Sequence, residues 1–201
     1  MSDAHLPEAP LAWLQFLMTA NRLKLLQRQG WAMRGVPQPE NVAAHSHGMA
    51  LVALALAESC GQALDREKVL TMALLHDLAE ATLTDIPEPA VRLLESGAKQ
   101  RAEEQAMDQL LGGLPGGQRL RSLWQEFEEA SSPEGRLVRD ADRLELMLQA
   151  YAYEKAGQRS LDEFWETMAA NHWNYPISET LFAGLCAWRE QLGLPVGPKT
   201  G

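Results

Sequence analysis

Apolar residues recur at the spacing of an amphipathic helix along almost the whole chain. Val, Ile and Thr nowhere alternate with polar residues for long, so a sheet has nothing to be built from. The fold class expected is therefore all-α. Helices are predicted over residues 11–28, with Leu14, Leu17, Met18 and Leu25 on one face, and then from Asn41 to about Ser59. Asp65 can cap a third, reaching about Ala81. Others follow over residues 90–95, 99–111, 118–130, 133–155, 161–170 and 178–191.

The breaks are written in Gly and Pro. Gly30, Gly35, Pro37 and Pro39 mark residues 29–40 as a loop, and Pro87 and Pro89 stop the third helix. Gly112, Gly113, Pro115, Gly116 and Gly117 form another break. A chain of 201 residues with no internal repeat fits one compact multi-helix domain over residues 1–192, followed by a frayed Gly/Pro-containing tail over 193–201.

Bulk properties exclude several function classes. A hydrophobic fraction of 46% argues for a packed core, not a disordered chain. The net charge of −9 disfavours a general grip on a nucleic acid polymer, which needs a basic surface. It leaves room for a small anionic substrate met by a few arginines and a metal. Cys60 and Cys186 have no paired spacing, so neither a disulfide framework nor a cysteine zinc site is expected. The longest apolar run, residues 49–57, is too short to span a bilayer, and residues 1–10 contain no Lys or Arg. A cytoplasmic protein with no membrane partner is the expectation.

The chemistry lies in polar residues on apolar stripes. His76-Asp77 closes a helix carrying Val69, Leu70, Ala73 and Leu74, and burying either group is costly unless it is bound or paired. His45 shares a face with Met49, Val52 and Leu56, while Asp142 shares one with Val138 and Leu146. Taken singly, His45 and Asp142 also read as core polar residues. Together, three helices each push a ligand-type residue inward. Two imidazoles and two carboxylates neutralise one divalent cation and leave positions open for water and a phosphate oxygen. Such mixed ligands accept manganese, cobalt, iron, zinc or magnesium, and the sequence does not choose among them.

The ordered set His, His-Asp, Asp resembles the HD-domain metal phosphohydrolase superfamily, and within it the 5′-deoxynucleotidase subgroup. The stretches that carry the resemblance span residues 23–153. They are Arg28-Gln29-Gly30-Trp31, Met33-Arg34, Pro39-Glu40-Asn41-Val42-Ala43-Ala44-His45-Ser46, Leu75-His76-Asp77-Leu78-Ala79-Glu80, Thr84-Asp85-Ile86-Pro87 and Leu137-Val138-Arg139-Asp140-Ala141-Asp142. The resemblance implies that His45, His76, Asp77 and Asp142 hold one divalent metal in the helical core. It implies catalytic roles for Glu80, one turn beyond the pair, and for Asp85. Arg28 and Arg34 would grip the phosphate and Trp31 would stack on base or sugar. The bland alternatives are a solvated Glu80, a core Trp31 and an Arg34 paired with Glu40. A homodimer is implied too, with Leu181, Phe182, Leu185 and Trp188 as apolar surface. Two positions depart from the subgroup: Ala44 replaces an acidic residue, and Thr84 a glycine.

The activity so implied is hydrolysis of 2′-deoxyribonucleoside 5′-monophosphates, a small-molecule nucleotide substrate. Two alternatives stay open. One is a phosphohydrolase for a nucleoside triphosphate, cyclic dinucleotide or alarmone; the other is a non-catalytic metal-binding regulatory module. Asp140-Ala141-Asp142 as an aspartyl-phosphate pair is rejected, because that chemistry wants a strand end and these residues read as helix.

Overall fold

The computed structural model describes residues 8–196; the expected tail therefore lies outside the described residues from 197 onward. Among the described residues no strand forms, only an isolated antiparallel bridge between Gln27 and Asn41. The elements are α1 (Glu8–Ala20), α2 (Gln29–Ala32), α3 (Val42–Ser59), α4 (Arg66–Leu75), α5 (Glu80–Leu83), α6 (Glu88–Val91), α7 (Ala98–Leu111), α8 (Gly117–Glu128), α9 (Pro133–Lys155), α10 (Asp162–Ala169) and α11 (Pro176–Gln191).

Helix α3 packs along α9 through the middle of the molecule, with α4 against both. Helices α7 and α8 cover one side, and α10 and α11 the other. The two caps expected, Asn41 and Asp65, form, and Ser132 adds a third. The Asn41 side chain accepts from Ala44 N–H, Asp65 accepts from Lys68 N–H, and Ser132, ahead of Pro133, accepts from Gly135 N–H. A core of Met49, Leu56, Met72, Leu137, Leu144 and Met147 fills the α3–α4–α9 junction. Buried Arg189 of α11 bonds Glu154 of α9 at 2.8 Å and Asp162 of α10 at 2.5 Å, tying three helices together.

Residues 29–40, expected as a loop, open with the one-turn α2, and the short helix expected over 90–95 forms at Glu88–Val91. Two larger expectations are also corrected. The first helix stops at Ala20, not Arg28; a 3₁₀ turn follows over Asn21–Leu25, and the chain then extends. The cause is tertiary. Arg28 N–H donates to Glu40 carbonyl at 3.0 Å and Val42 N–H to Leu26 carbonyl at 2.8 Å, pinching the intervening segment shut. Its leucine stripe is also outward: Leu14, Leu17, Met18 and Leu25 are 48%, 56%, 69% and 82% exposed. Ala12, Trp13, Phe16 and Ala20 pack on the core instead. The third helix, expected to reach Ala81, breaks after Leu75. Residues 76–79 form a turn whose N–H groups reach back three residues, as in Leu78 to Leu75 and Glu80 to Asp77, both at 3.0 Å.

Candidate metal centre

That turn is what lets an adjacent pair serve one site. Neighbours on a regular helix point about 100° apart. Here His76 Nε2 and Asp77 Oδ2 are 3.1 Å apart, and both approach His45 Nε2 of α3, at 3.1 and 3.7 Å. Asp142 Oδ1 of α9 lies 3.1 Å from the same His45 nitrogen. Donor atoms of His45, His76 and Asp142 all lie within 4.8 Å of one another, and Asp77 joins them through its approach to the two imidazole nitrogens. Donors bonded at about 2.1 Å to one divalent ion stand roughly 3–3.5 Å from each other, so this spacing is that of a donor cage.

Hydrogen bonding at the far side of each ring fixes what faces inward. His76 Nδ1 donates to Ala73 carbonyl at 2.8 Å, and His45 Nδ1 lies 2.5 Å from Glu145 Oε2. If both rings are neutral Nδ1–H forms, their Nε2 lone pairs face each other across 3.1 Å, so the pair needs a cation there, either a second proton on one ring or a metal ion between the two. The electrostatics agree. Burial and Arg28 oppose charge on His45, yet its bonds to Asp142 and Glu145 push its pKa up to about 10. Burial would raise Asp77, but His76, Arg28 and His45 hold its carboxyl well below the usual range. Burial likewise opposes ionisation of Asp142, and the His45 bond overcomes it. The cluster asks for positive charge at its centre, and the residues present fit a divalent metal.

A cavity of about 300 Å³ opens beside the cage, lined by Arg28, Trp31, Asp77, Glu80, Asp85 and Asp142 with Ile86, Pro87 and Phe164. Arg28 Nη1 donates to Asp77 Oδ2 at 2.7 Å. Glu80 is not the solvated carboxylate of the bland reading. It is buried, and its Oε2 has no hydrogen-bond partner among the described residues. Burial first, then Asp77 and Asp85, push its pKa up to about 9, which favours the neutral acid while no ion sits at Asp77. Asp85 accepts from Gln29 N–H at 2.5 Å, which leaves its other oxygen for a ligand. Thr84, just before it, has φ 70° and ψ 166°, a backbone conformation native to glycine; this is the position where the resembled subgroup carries one.

Trp31 lines the cavity as a wall and not as a free platform. It is 1% exposed, stands edge-on to Tyr153, tilts against Phe164, and donates Nε1–H to Glu40 at 3.0 Å. Arg34 is not brought to the cavity. Its guanidinium pairs with Glu163, not Glu40, and lies over the Phe164 ring. Ala44 is exposed, so the acidic residue it replaces would face solvent. Asp140 is buried and accepts from Asn174 and Tyr175 N–H, a structural duty. A second cavity of about 240 Å³ meets the cluster from another side, with Lys99, Arg139 and Arg143 in its wall.

Residues missed from sequence include Glu145 and Lys99. Glu145 was findable: with Val138 and Ala141 it continues the core stripe of α9, one turn beyond Asp142. Lys99 carries no such signal, since it lies in the first turn of a polar helix.

An all-helical core with an inward His/Asp cation cage and a buried acid in the adjoining cavity defines a metal-centre protein built on a helical scaffold. The chain belongs to the HD domain family, whose model matches residues 20–179. The 5′-deoxynucleotidase HDDC2 of Danio rerio is 38% identical over 144 residues, spanning 71% of this chain and 70% of that protein. The 5′-deoxynucleotidase HDDC2 of Homo sapiens is 36% identical over 180 residues, 88% of this chain and 85% of that protein. Among solved structures, the PH0347 protein from Pyrococcus horikoshii OT3 matches with a TM-score of 0.73 at 38% identity, covering 90% of this chain and 98% of that one.

Proposed function

We propose that this chain hydrolyses 2′-deoxyribonucleoside 5′-monophosphates to deoxynucleoside and phosphate, with one divalent ion held by His45, His76, Asp77 and Asp142. The observation that carries the reading is the pairing of two facing Nε2 atoms 3.1 Å apart with a buried Glu80 whose Oε2 has no partner among the described residues. The names of the relatives, 5′-deoxynucleotidases at 36–38% identity, supply the deoxynucleotide.

His45, His76, Asp77 and Asp142 would hold the ion, which when bound would supply Lewis-acid polarisation of the phosphoryl group and lower the pKa of water so that hydroxide is available as nucleophile. The rest is done by side chains. Arg28, fixed against Asp77, presents its guanidinium to the phosphate. Glu80, lining the cavity, gives a proton to the departing 5′ oxygen as water oxygen bonds to phosphorus and the P–O5′ bond breaks, and its carboxylate is reprotonated by the proton that water sheds. Asp85, steadied by Gln29 N–H, accepts from a sugar hydroxyl. Trp31 and Phe164 form the apolar wall beside the nucleoside, and Arg34 steadies that wall through Phe164.

No helix among the described residues is long and apolar enough to cross a membrane. A cytoplasmic homodimer with no nucleic acid polymer as partner completes the reading. The acidic charge and the apolar groove lined by Leu148, Leu181 and Trp188 support it.

The test is phosphate release by chelated protein reloaded in turn with manganese, cobalt, iron, zinc and magnesium. Deoxy and ribo monophosphates, triphosphates and cyclic dinucleotides are the substrates. Metal-dependent release from the deoxy monophosphates, faster than from the ribo forms, is expected. Preference for a triphosphate or cyclic dinucleotide, or no release with any metal, overturns the assignment.

A further inference from the structure

Glu145 makes the closest polar contact to the donor cage, and two further observations say what that contact does. Its Oε2 stands 2.5 Å from His45 Nδ1, and both side chains are buried, at 8% and 0% exposure. Helix α9 thus delivers two groups to one imidazole: Asp142 to its Nε2 face and Glu145, a turn later, to its Nδ1 face. A neutral imidazole has one N–H. A carboxylate at Nδ1 claims it, so the Nε2 lone pair is left facing His76, Asp77 and Asp142.

The second observation comes from the opposing helix. Gly48 lies three residues after His45 inside α3, where glycine costs about 1 kcal/mol against alanine. A Cβ there would stand 2.7 Å from Glu145 Oε1 and 3.2 Å from its Cγ. The bare Cα at this crossing of α3 and α9 gives the carboxylate its space.

We propose that Glu145 is a positioning residue for the metal centre: its carboxylate fixes His45 as the Nδ1–H tautomer with Nε2 toward the cage, and Gly48 leaves the room this needs. The inference rests on reading the cage as a metal site. Glu145 acts through His45; it is not itself a ligand. A rival arrangement is that Glu145 and Glu40 bind an ion on the Nδ1 side of His45, since suitable atoms of the three lie within 4.8 Å of one another.

Metal affinity of the full chain, measured by competition with a chromogenic chelator, separates these ideas without any substrate. Glu145→Met keeps the bulk and removes the acceptor; Glu145→Gln keeps an acceptor oxygen and removes the charge. The dissociation constant is expected to rise about tenfold to a hundredfold in Glu145→Met, and less in Glu145→Gln. Nitrogen-15 and proton spectra of the histidines in metal-free protein should show the His45 Nδ1–H hydrogen-bonded in the unaltered chain, with that signal, and so the tautomer it fixes, disturbed in Glu145→Met alone. Gly48→Ala favours the helix, yet should weaken metal binding several-fold with helical content unchanged by circular dichroism. Affinities within twofold of the unaltered chain in Glu145→Met, with the tautomer unchanged, overturn the proposal. Two ions per chain, one of them lost in Glu145→Met, overturn it in favour of the rival site. No metal bound by the unaltered chain sinks the metal-centre reading instead.

Discussion

Arg28 and Asp77 are bonded at 2.7 Å, and the Asp77 oxygen that accepts this bond is the one lying 3.1 Å from His76 Nε2. One carboxylate oxygen therefore joins the cation cage to the wall of the cavity. Arg28 sits in the short extended stretch between the 3₁₀ turn and α2, held by its N–H bond to Glu40 carbonyl. Replacing it removes a guanidinium from the phosphate pocket and a restraint from Asp77. A charged hydrogen bond contributes about 1.5–3 kcal/mol, so Arg28→Ala should lower kcat/KM by roughly tenfold to a hundredfold. Arg28→Lys should recover only part of that, because an ammonium cannot reproduce the planar fork. Steady-state kinetics on a deoxynucleoside monophosphate decides the point, and a full recovery by lysine counts against forked recognition.

Glu80 sets activity against stability. Its folded pKa of about 9 lies above the ordinary carboxyl value of about 4.3. The sign follows from proton counts. Below pH 4 both folded and unfolded forms are protonated and the group costs nothing. As pH rises toward 9 only the unfolded form ionises, so stability is progressively lost. In Glu80→Gln that loss disappears. The melting temperature of metal-free Glu80→Gln, relative to the unaltered metal-free chain, should therefore climb as pH goes from 5 to 9. The same variant should lose about 10²–10⁴-fold in turnover while still binding metal, for want of a proton donor. Unchanged turnover removes Glu80 from the chemistry, and a flat difference in melting temperature means its acid is not held neutral.

Thr84 is a β-branched residue at φ 70°, ψ 166°, and such positions cost of order 1–3 kcal/mol. The strain sits between α5 and Asp85 and sets the direction in which Asp85 leaves the helix. Thr84→Gly should relieve it. After allowance for the greater freedom of glycine in the unfolded chain, a gain of about 1 kcal/mol, or roughly 2–4 °C in Tm, is expected. Calorimetry at fixed metal concentration measures it. A drop in Tm means the Thr84 side chain contributes more than its backbone costs.

The site was more legible than the path of the chain around it. His45, Asp142 and the His76-Asp77 pair show themselves because a costly polar group on an apolar stripe needs a partner, and the partners were one another. The break after Leu75 has no glycine or proline to announce it. It comes from the tertiary demand that His76 and Asp77 reach one point. Helix α1 misled differently: it carries apolar residues on two faces, and spacing alone cannot say that Trp13 and Phe16 face the core while Leu14 and Leu17 face solvent. Arg34 was placed with Arg28 because the two flank one segment, but Glu163 and Phe164, far along the chain, draw it away from the cavity.

Trp31 tests whether the cavity wall is rigid or adaptable. The indole is enclosed by Tyr153 and Phe164, with ring centroids 5.4 and 4.6 Å away, and its Nε1–H is bonded to Glu40. A side chain held on three sides is a core element first and a substrate contact second. Trp31→Ala should therefore cost about 3–5 kcal/mol of folding stability, lowering Tm by roughly 10 °C, as well as raising KM. Trp31→Phe keeps most of the apolar wall and loses chiefly the bond to Glu40, worth about 1 kcal/mol, so Tm should fall by only a few degrees and KM should change little. Thermal melts and KM values for both variants on one substrate check this. If Trp31→Ala raised KM while leaving Tm unchanged, the indole would be a mobile stacking platform, and the wall beside the nucleoside would have to be assigned to Phe164, Ile86 and Pro87 alone.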